Sequence, residues 1–396
     1  MDRTQIPGGV ARVCRTLRAA GYGAYPVGGC VRDLLRGVDP ADWDVTTSAL
    51  PETVMALFER TVPTGVKHGT VTVLTEDGGV EVTTFRREGG YADGRHPDAV
   101  RFDAGLTEDL SRRDFTINAM ALGPEGEIID PCGGQSDLRM RLIRCVGDAE
   151  RRFREDALRM LRAVRFSAQL GFAIESGTAQ ALRKCARRAD GLSAERVRTE
   201  LEKTLLSPWP ERGERLFTWG LMDKYLAGPA DPDLTVLHRT EAAPLSRWAA
   251  LCGALADWGS IRSVGDFLRA LRLDKKTISA CEGGAALWRD GPPWTARDWR
   301  RALAGYGKDA CIAAAAIGDA LTAGAYTAAL LEILEERPCC RVSDLALRGR
   351  DLTALGYSGT EIGAAQARLL SHVLDHPEDN RREVLLDILK REEAGD

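Results

Sequence analysis

A change of period restricts this chain more than any other feature. Before about residue 148, short β-branched runs alternate with amphipathic helical patterns; beyond it, strand signals almost vanish. "AYPV" (24–27), "TVTVL" (70–74) and "VEVTTF" (80–85) predict strands, and "TEDGG" between the last two predicts a hairpin. Helical patterns fill 10–20, 31–36 and 51–58. Such a sequence predicts a small α/β domain on a mixed sheet, followed by a long all-helical remainder. Breaks at "SPWPERG" (207–213), "GPADPD" (228–233) and "DGPPW" (290–294) mark three joints. At 396 residues the chain exceeds one simple core, so two to four domains are expected.

Composition excludes several classes. No apolar run approaches the ~18 residues of a membrane span, and "MDRTQIPGGVARVCRTL" lacks the apolar core of a secretion signal. The ten cysteines form no CxxC pair, which predicts reduced, buried thiols in a cytoplasmic protein rather than a zinc site. The net charge of −4 hides a basic middle: residues 139–203 hold 16 Lys and Arg against 9 Asp and Glu. A localised anion-binding face follows.

The chemistry concentrates in "VGGCVRDLLRGVDPADWDVTT" (27–47). Gly28 and Gly29 lie between a strand and a helix, where the backbone can approach a phosphate closely. Arg32 adds a charge one turn later. Asp42 and Asp44 enter a β-like run, so their side chains share a face with Cα atoms ~6.5 Å apart. Two carboxylates so placed can grip Mg²⁺, which takes carboxylate oxygens together with substrate phosphates. Glu81 becomes a third acid if its strand lies beside the first. Each element alone has an ordinary structural explanation; together they point to nucleotidyl transfer.

A second constellation is "REDALRMLRAVRF" (154–166). Read as one helix, it sets Glu155, Asp156, Arg159, Arg162 and Arg165 on a single face. Isolated, it would be a salt-bridged surface helix worth ~0.3–0.5 kcal/mol per pair. Beside the head motifs it reads a base. Asp156 accepts hydrogen bonds and Arg159 donates them. Cytosine and adenine each present an amino donor beside a ring-nitrogen acceptor, which this edge complements. Uracil and guanine present a carbonyl beside a ring N–H, which it opposes.

"GGCVRD" followed by "DWD", "RRDFTINAMA" (112–121), "REDALRMLRAVRF", "SAERVRTELEKTLL" (193–206) and "LRGRDLTALGYSGTEIGAAQARLL" (347–370) resemble the class II nucleotidyltransferases. These are bacterial tRNA CCA-adding enzymes and their poly(A) polymerase relatives. The resemblance implies a nucleotidyltransferase head at 1–147 and a helical neck with the base-reading helix at 148–206. A helical body at 207–290 and a tRNA-contacting helical tail at 291–396 complete an elongated multi-domain chain. It implies that Asp42 and Asp44 bind Mg²⁺, one ion activating the RNA 3′-hydroxyl and another binding the triphosphate. Gly29, Arg32 and Arg113 fall on nucleotide contacts, with Asp114 and Asn118 on the ribose side. Asp156 and Arg159 become a protein template for C and A. The helix itself adds Glu155, four residues before Arg159, to orient it, and Arg162 and Arg165 further along to meet the nucleotide's phosphates or the RNA end.

The implied activity is template-independent addition of CCA to the tRNA 3′ end from CTP and ATP, by a monomer or homodimer. A-only addition and poly(A) synthesis share the signatures. "TVPTGVKHGTVTVL" (61–74) is similar to the CCA-adding version, and "REGGYADGRHPDAVRF" (87–102) resembles the flexible loop associated with A addition. His68 and His96 are expected to be loop or packing residues. A catalytically dead RNA-binding protein would have lost Asp42, Asp44 or Arg159, all present here. A small-molecule nucleotidyltransferase would leave the base-reading helix and basic neck unexplained.

Overall fold

The computed structural model describes residues 6–89, 99–291 and 295–394. The chain divides into two compact units, Met1–Thr204 with Arg215–Lys224 and Leu205–Glu214 with Tyr225–Asp396. The sequence-predicted head and neck share the first, and the expected joint at 207 lies beside its boundary.

In the first unit α1 (Gly8–Ala19) leads into β1 (Ala24–Val27), α2 (Gly29–Leu35), β2 (Asp44–Thr47) and α3 (Pro51–Leu57). Then follow β3 (Thr61–Gly65), β4 (Thr70–Thr75), β5 (Gly78–Thr84), the short strands β6 (Arg87–Gly89) and β7 (Ala99–Arg101), and α4 (Leu106–Ser111). β8 (Ala121–Leu122) and β9 (Ile128–Ile129) complete, among the described residues, a seven-stranded sheet of order β3-β4-β5-β2-β1-β8-β9. β2 and β5 run parallel while the other neighbours are antiparallel, so the sheet is mixed as expected.

Alternation along the strands builds the core. Val71 and Val73 on β4, Val80 and Val82 on β5 and Val45 on β2 are buried with Val10, Val13 and Leu17 of α1 and Val54 of α3. Period-2 geometry then sends Asp44 and Glu81 to the opposite face. Cys30, Val31 and Leu34 of α2 join a second cluster with Met120 and Leu122.

α5 (Gly134–Met140), α6 (Ala149–Glu155), α7 (Leu158–Leu170), α8 (Ser176–Cys185) and α9 (Ala194–Leu205) follow. The expected single helix through 154–166 is therefore two. Asp156 ends α6 with φ −143° and ψ 109°, and α7 restarts after Ala157. Its carboxylate accepts the Leu158 N–H at 3.0 Å, which stabilises the restart.

The second unit is helical. Gly284 lets the helix Lys275–Arg289 approach Lys308–Thr322 closely, since a Cβ there would sit 2.6 Å from the Ala313 Cβ. One hydrophobic cluster joins Leu287 to Trp299, Cys311 and Leu330; another joins Leu345 and Leu352 to Leu369, Val373 and Leu385. The expected body–tail division at 290 thus falls inside a shared core, and the second cluster starts at Cys339. Among the described residues no helix is long and apolar enough to cross a membrane.

Candidate active site

The head supplies an acidic edge first. Asp44 pairs in register with Glu81 across the parallel β2–β5 ladder, the adjacency the sequence left conditional. Burial pushes the Asp44 carboxyl up; Arg113 pulls it down, and the charges of Glu81 and Asp42 push it up again. A carboxylate so crowded by like charge is a place for a cation. Among the described residues no three such side chains converge on one metal position. The hard oxygens of Asp42 and Asp44 therefore form an incomplete set, which fits an ion whose remaining ligands are substrate oxygens and water. Glu81 contributes charge beside them. The three acids also border a cavity of about 600 Å³ with Thr72, Thr75 and Asp77.

Opposite these acids stands a cationic edge. Gly28 has φ +84°, and a Cβ there would lie 3.1 Å from Arg113 Nη1 and 4.0 Å from an Asp44 carboxylate oxygen. Glycine is needed for both reasons. The positive φ thus belongs to Gly28, while Gly29 opens α2, two residues earlier than the helical pattern suggested. Arg113 is held by Asp109 at 3.6 Å, and its Nε finds no hydrogen-bond partner among the described residues. Burial lowers its pKa, although Asp109, Asp44 and Asp114 oppose that shift.

Arg32 links the two signatures. Its Nη1 donates to Asn118 Oδ1 at 2.7 Å, while Nε and Nη2 fork onto Asp33 at 3.0 and 2.8 Å. Asn118 Nδ2 donates to Asp114 at 3.4 Å, and Asp114 pairs with Arg162 at 2.6 Å. Burial alone would raise the Asp114 pKa; Arg162 overcomes it and holds the carboxyl below its ordinary value. Asp114 and Asn118 thus tie Arg32 of the head to Arg162 of the helical segment.

Asp156 and Arg159 stay adjacent despite the helix break, because the Arg159 N–H donates to the Asp156 carbonyl at 3.1 Å. Each is held by an opposite charge. Glu155 accepts from Arg159 Nη1 at 2.7 Å, as the i,i+4 spacing suggested, and Arg159 also donates to the Arg152 and Arg112 carbonyls. Arg196 of α9 grips both Asp156 oxygens at 2.9 and 3.2 Å. Arg165 has another commitment: it is buried, with its Nε on Glu200 at 2.6 Å and Nη1 on Gln169 at 3.0 Å. Its guanidinium joins α7 to α9, where the sequence suggested the nucleotide's phosphates or the RNA end.

Asp109, Arg152, Arg196 and Glu200 escaped the sequence reading. Asp109 stands three and four residues before Arg112 and Arg113, so its role was legible from spacing. The partners of Asp156 and Arg165 lie 40 and 35 residues away and left no local signal. His96 and residues 90–98 of the loop 87–102 lie outside the described residues.

A mixed sheet with an acidic edge, a glycine turn and an arginine edge, followed by a helical remainder, defines a nucleotidyltransferase. The family described as "Poly A polymerase head domain" matches residues 24–144, and that described as "Probable RNA and SrmB- binding site of polymerase A" matches residues 171–230. A CCA-adding enzyme of Lactiplantibacillus plantarum is 37% identical over 409 aligned positions, spanning 98% of each chain. One of Geobacillus stearothermophilus is 46% identical over 281, spanning 69% of this chain and 68% of the relative. The crystal structure of the Bacillus stearothermophilus CCA-adding enzyme in complex with CTP superposes with a TM-score of 0.82 at 34% identity, over 100% of this chain and 99% of that one. The chain belongs to the family of CCA-adding enzymes.

Proposed function

We infer that this protein adds C, C and A in turn to the 3′ end of tRNA, drawing on CTP and ATP and releasing pyrophosphate. The observation that carries the reading is Asp156 beside Arg159 in the folded chain, an acceptor and a donor each anchored by an opposite charge. Anchored this way, the two groups keep their hydrogen-bonding polarity towards an incoming base. C and A satisfy both. U and G leave acceptor against acceptor and donor against donor, at about 1–3 kcal/mol for each unsatisfied group.

Asp42 and Asp44 would hold Mg²⁺, which when bound stabilises negative charge on the phosphates and lowers the pKa of the attacking hydroxyl. Arg32, Arg113 and Arg162 orient and neutralise the triphosphate, and Gly28–Gly29 let it approach the backbone. The tRNA 3′-oxygen forms a bond to the α-phosphorus and loses its proton. The bond from that phosphorus to the oxygen bridging to the β-phosphorus breaks, and pyrophosphate leaves. Exposed cations of 139–203, among them Arg151, Arg154 and Lys184, suit the phosphates of an acceptor stem, recognised by backbone rather than sequence. Substrates of this kind, tRNA with CTP and ATP, support a cytoplasmic site of action.

Primer extension tests the reading. Transcripts ending at the discriminator base, at C and at CC are offered each nucleotide singly, then CTP with ATP. Growth by C, C and A followed by arrest is expected. Extension of only the CC-ended transcript by one A would reassign the protein to A-only addition, and long A tracts would reassign it to poly(A) synthesis.

A further inference from the structure

Phe166 sits where three arginines meet. Its side chain is 6% exposed, yet the guanidinium carbons of Arg165, Arg162 and Arg32 lie 4.1, 5.2 and 5.6 Å from its ring centroid. Phe115, in the second signature, meets it in a T-shaped contact at 5.7 Å. The ring therefore touches the head at Arg32 and Phe115 and the helical segment at Arg162 and Arg165.

Three like charges brought together repel, and something must hold them. Carboxylates do part of this: Glu200 takes Arg165, Asp114 takes Arg162 and Asp33 takes Arg32. A further acid at position 166 would hold the cations more strongly but would cancel their charge and repel a triphosphate. An aromatic ring attracts cations through its quadrupole and carries no net charge. It gathers guanidinium groups without adding a further negative charge beside them.

We propose that Phe166 is a positioning residue of the nucleotide site, a neutral π platform that holds Arg32 and Arg162 together for an incoming triphosphate. This rests on the function inferred above. Removing the ring's negative face while keeping its shape should loosen both arginines. The effect belongs on nucleotide affinity and not on tRNA affinity.

A fluorination series separates this role from packing. Phenylalanines with one, two and three ring fluorines are placed at 166 of the full-length protein by nonsense suppression, beside Phe166→Leu. Dissociation constants for CTP and ATP are measured by direct titration, and those for tRNA in parallel. Nucleotide affinity is expected to fall stepwise, by about tenfold at three fluorines, with thermal midpoint and tRNA affinity unchanged. Phe166→Leu should match the trifluoro form in nucleotide affinity. A flat nucleotide series overturns the proposal, as does a loss of affinity that tracks a falling thermal midpoint. Because binding is read apart from transfer, a wild-type protein that bound CTP but did not extend tRNA would overturn the proposed function alone.

Discussion

Asp44 stands at the junction of the acidic and cationic edges, where burial and neighbouring charges act on its carboxyl together. Burial raises its pKa, Arg113 works against that, and Glu81 and Asp42 add to the rise. A folded-state pKa above the unfolded value of ~3.9 means that the folded chain binds the proton more tightly. Stability without a cation therefore falls as pH rises through that interval. Asp44→Asn should raise the thermal midpoint in chelator at pH 7 while reducing transfer at least ~100-fold. Added Mg²⁺ should stabilise the wild type and leave the variant unmoved. A lowered midpoint for Asp44→Asn would show that the carboxylate is a structural anchor. Arg159→Ala tests the other edge: rejection of UTP and GTP should relax, or transfer should fail with all four nucleotides. Unchanged rejection would remove this side chain from base selection.

At the scale of elements, helix ends carry measurable energy. Glu175 caps α8 by accepting the N–H groups of Gly177 and Thr178 at 2.9 and 2.8 Å. Burial pushes its carboxyl up, but those donors and the Thr178 hydroxyl prevail and lower it to about 2 from 4.5. The depressed pKa gives a contribution fully present above about pH 4.5 and lost as pH falls towards 2. Glu175→Gln should cost about 1 kcal/mol at pH 7, with the gap between variant and wild type closing across that window in chemical denaturation. A pH-independent gap would refute the charged cap. The buried Arg165–Glu200 pair predicts a larger effect: Glu200→Ala leaves a guanidinium uncompensated and should destabilise by about 3–5 kcal/mol. These two cases also show what the sequence could and could not convey. Strands β1, β4 and β5 and helices α1 and α3 follow local period, so they were legible within a residue or two. The helix break at Asp156 was hidden, because apolar residues recur at helical spacing straight through it. Arg165 looked free for a different reason: its partner is near only once α9 has folded against α7. The acidic edge was legible as spacing, and its completion by Glu81 needed the parallel pairing of β2 with β5.

For the whole molecule the governing fact is an acidic chain, at −4 overall, that must hold a polyanion. Long-range attraction cannot supply that, so binding must come from local cations within a Debye length, ~8 Å at physiological salt. Glu150 draws two exposed cations together, Arg154 at 3.0 Å and Lys184 at 2.6 Å, with side chains 61% and 66% accessible. Their ion pairs with Glu150 are weak at that exposure, so a phosphate can displace the carboxylate at little cost. If both contact RNA phosphates, each releases a counterion on binding. Replacing Arg154 and Lys184 by Ala should then weaken tRNA binding and flatten the dependence of log Kd on log salt by about one unit per side chain. The KM for CTP and ATP should stay within about twofold, because neither residue belongs to the Arg32–Asn118–Asp114–Arg162 chain. Binding measured by filter retention at 50, 100 and 200 mM KCl, on the order of the range where such slopes resolve, checks this. A parallel shift with unchanged slope would place these cations outside the RNA interface and move the basic face elsewhere in 139–203.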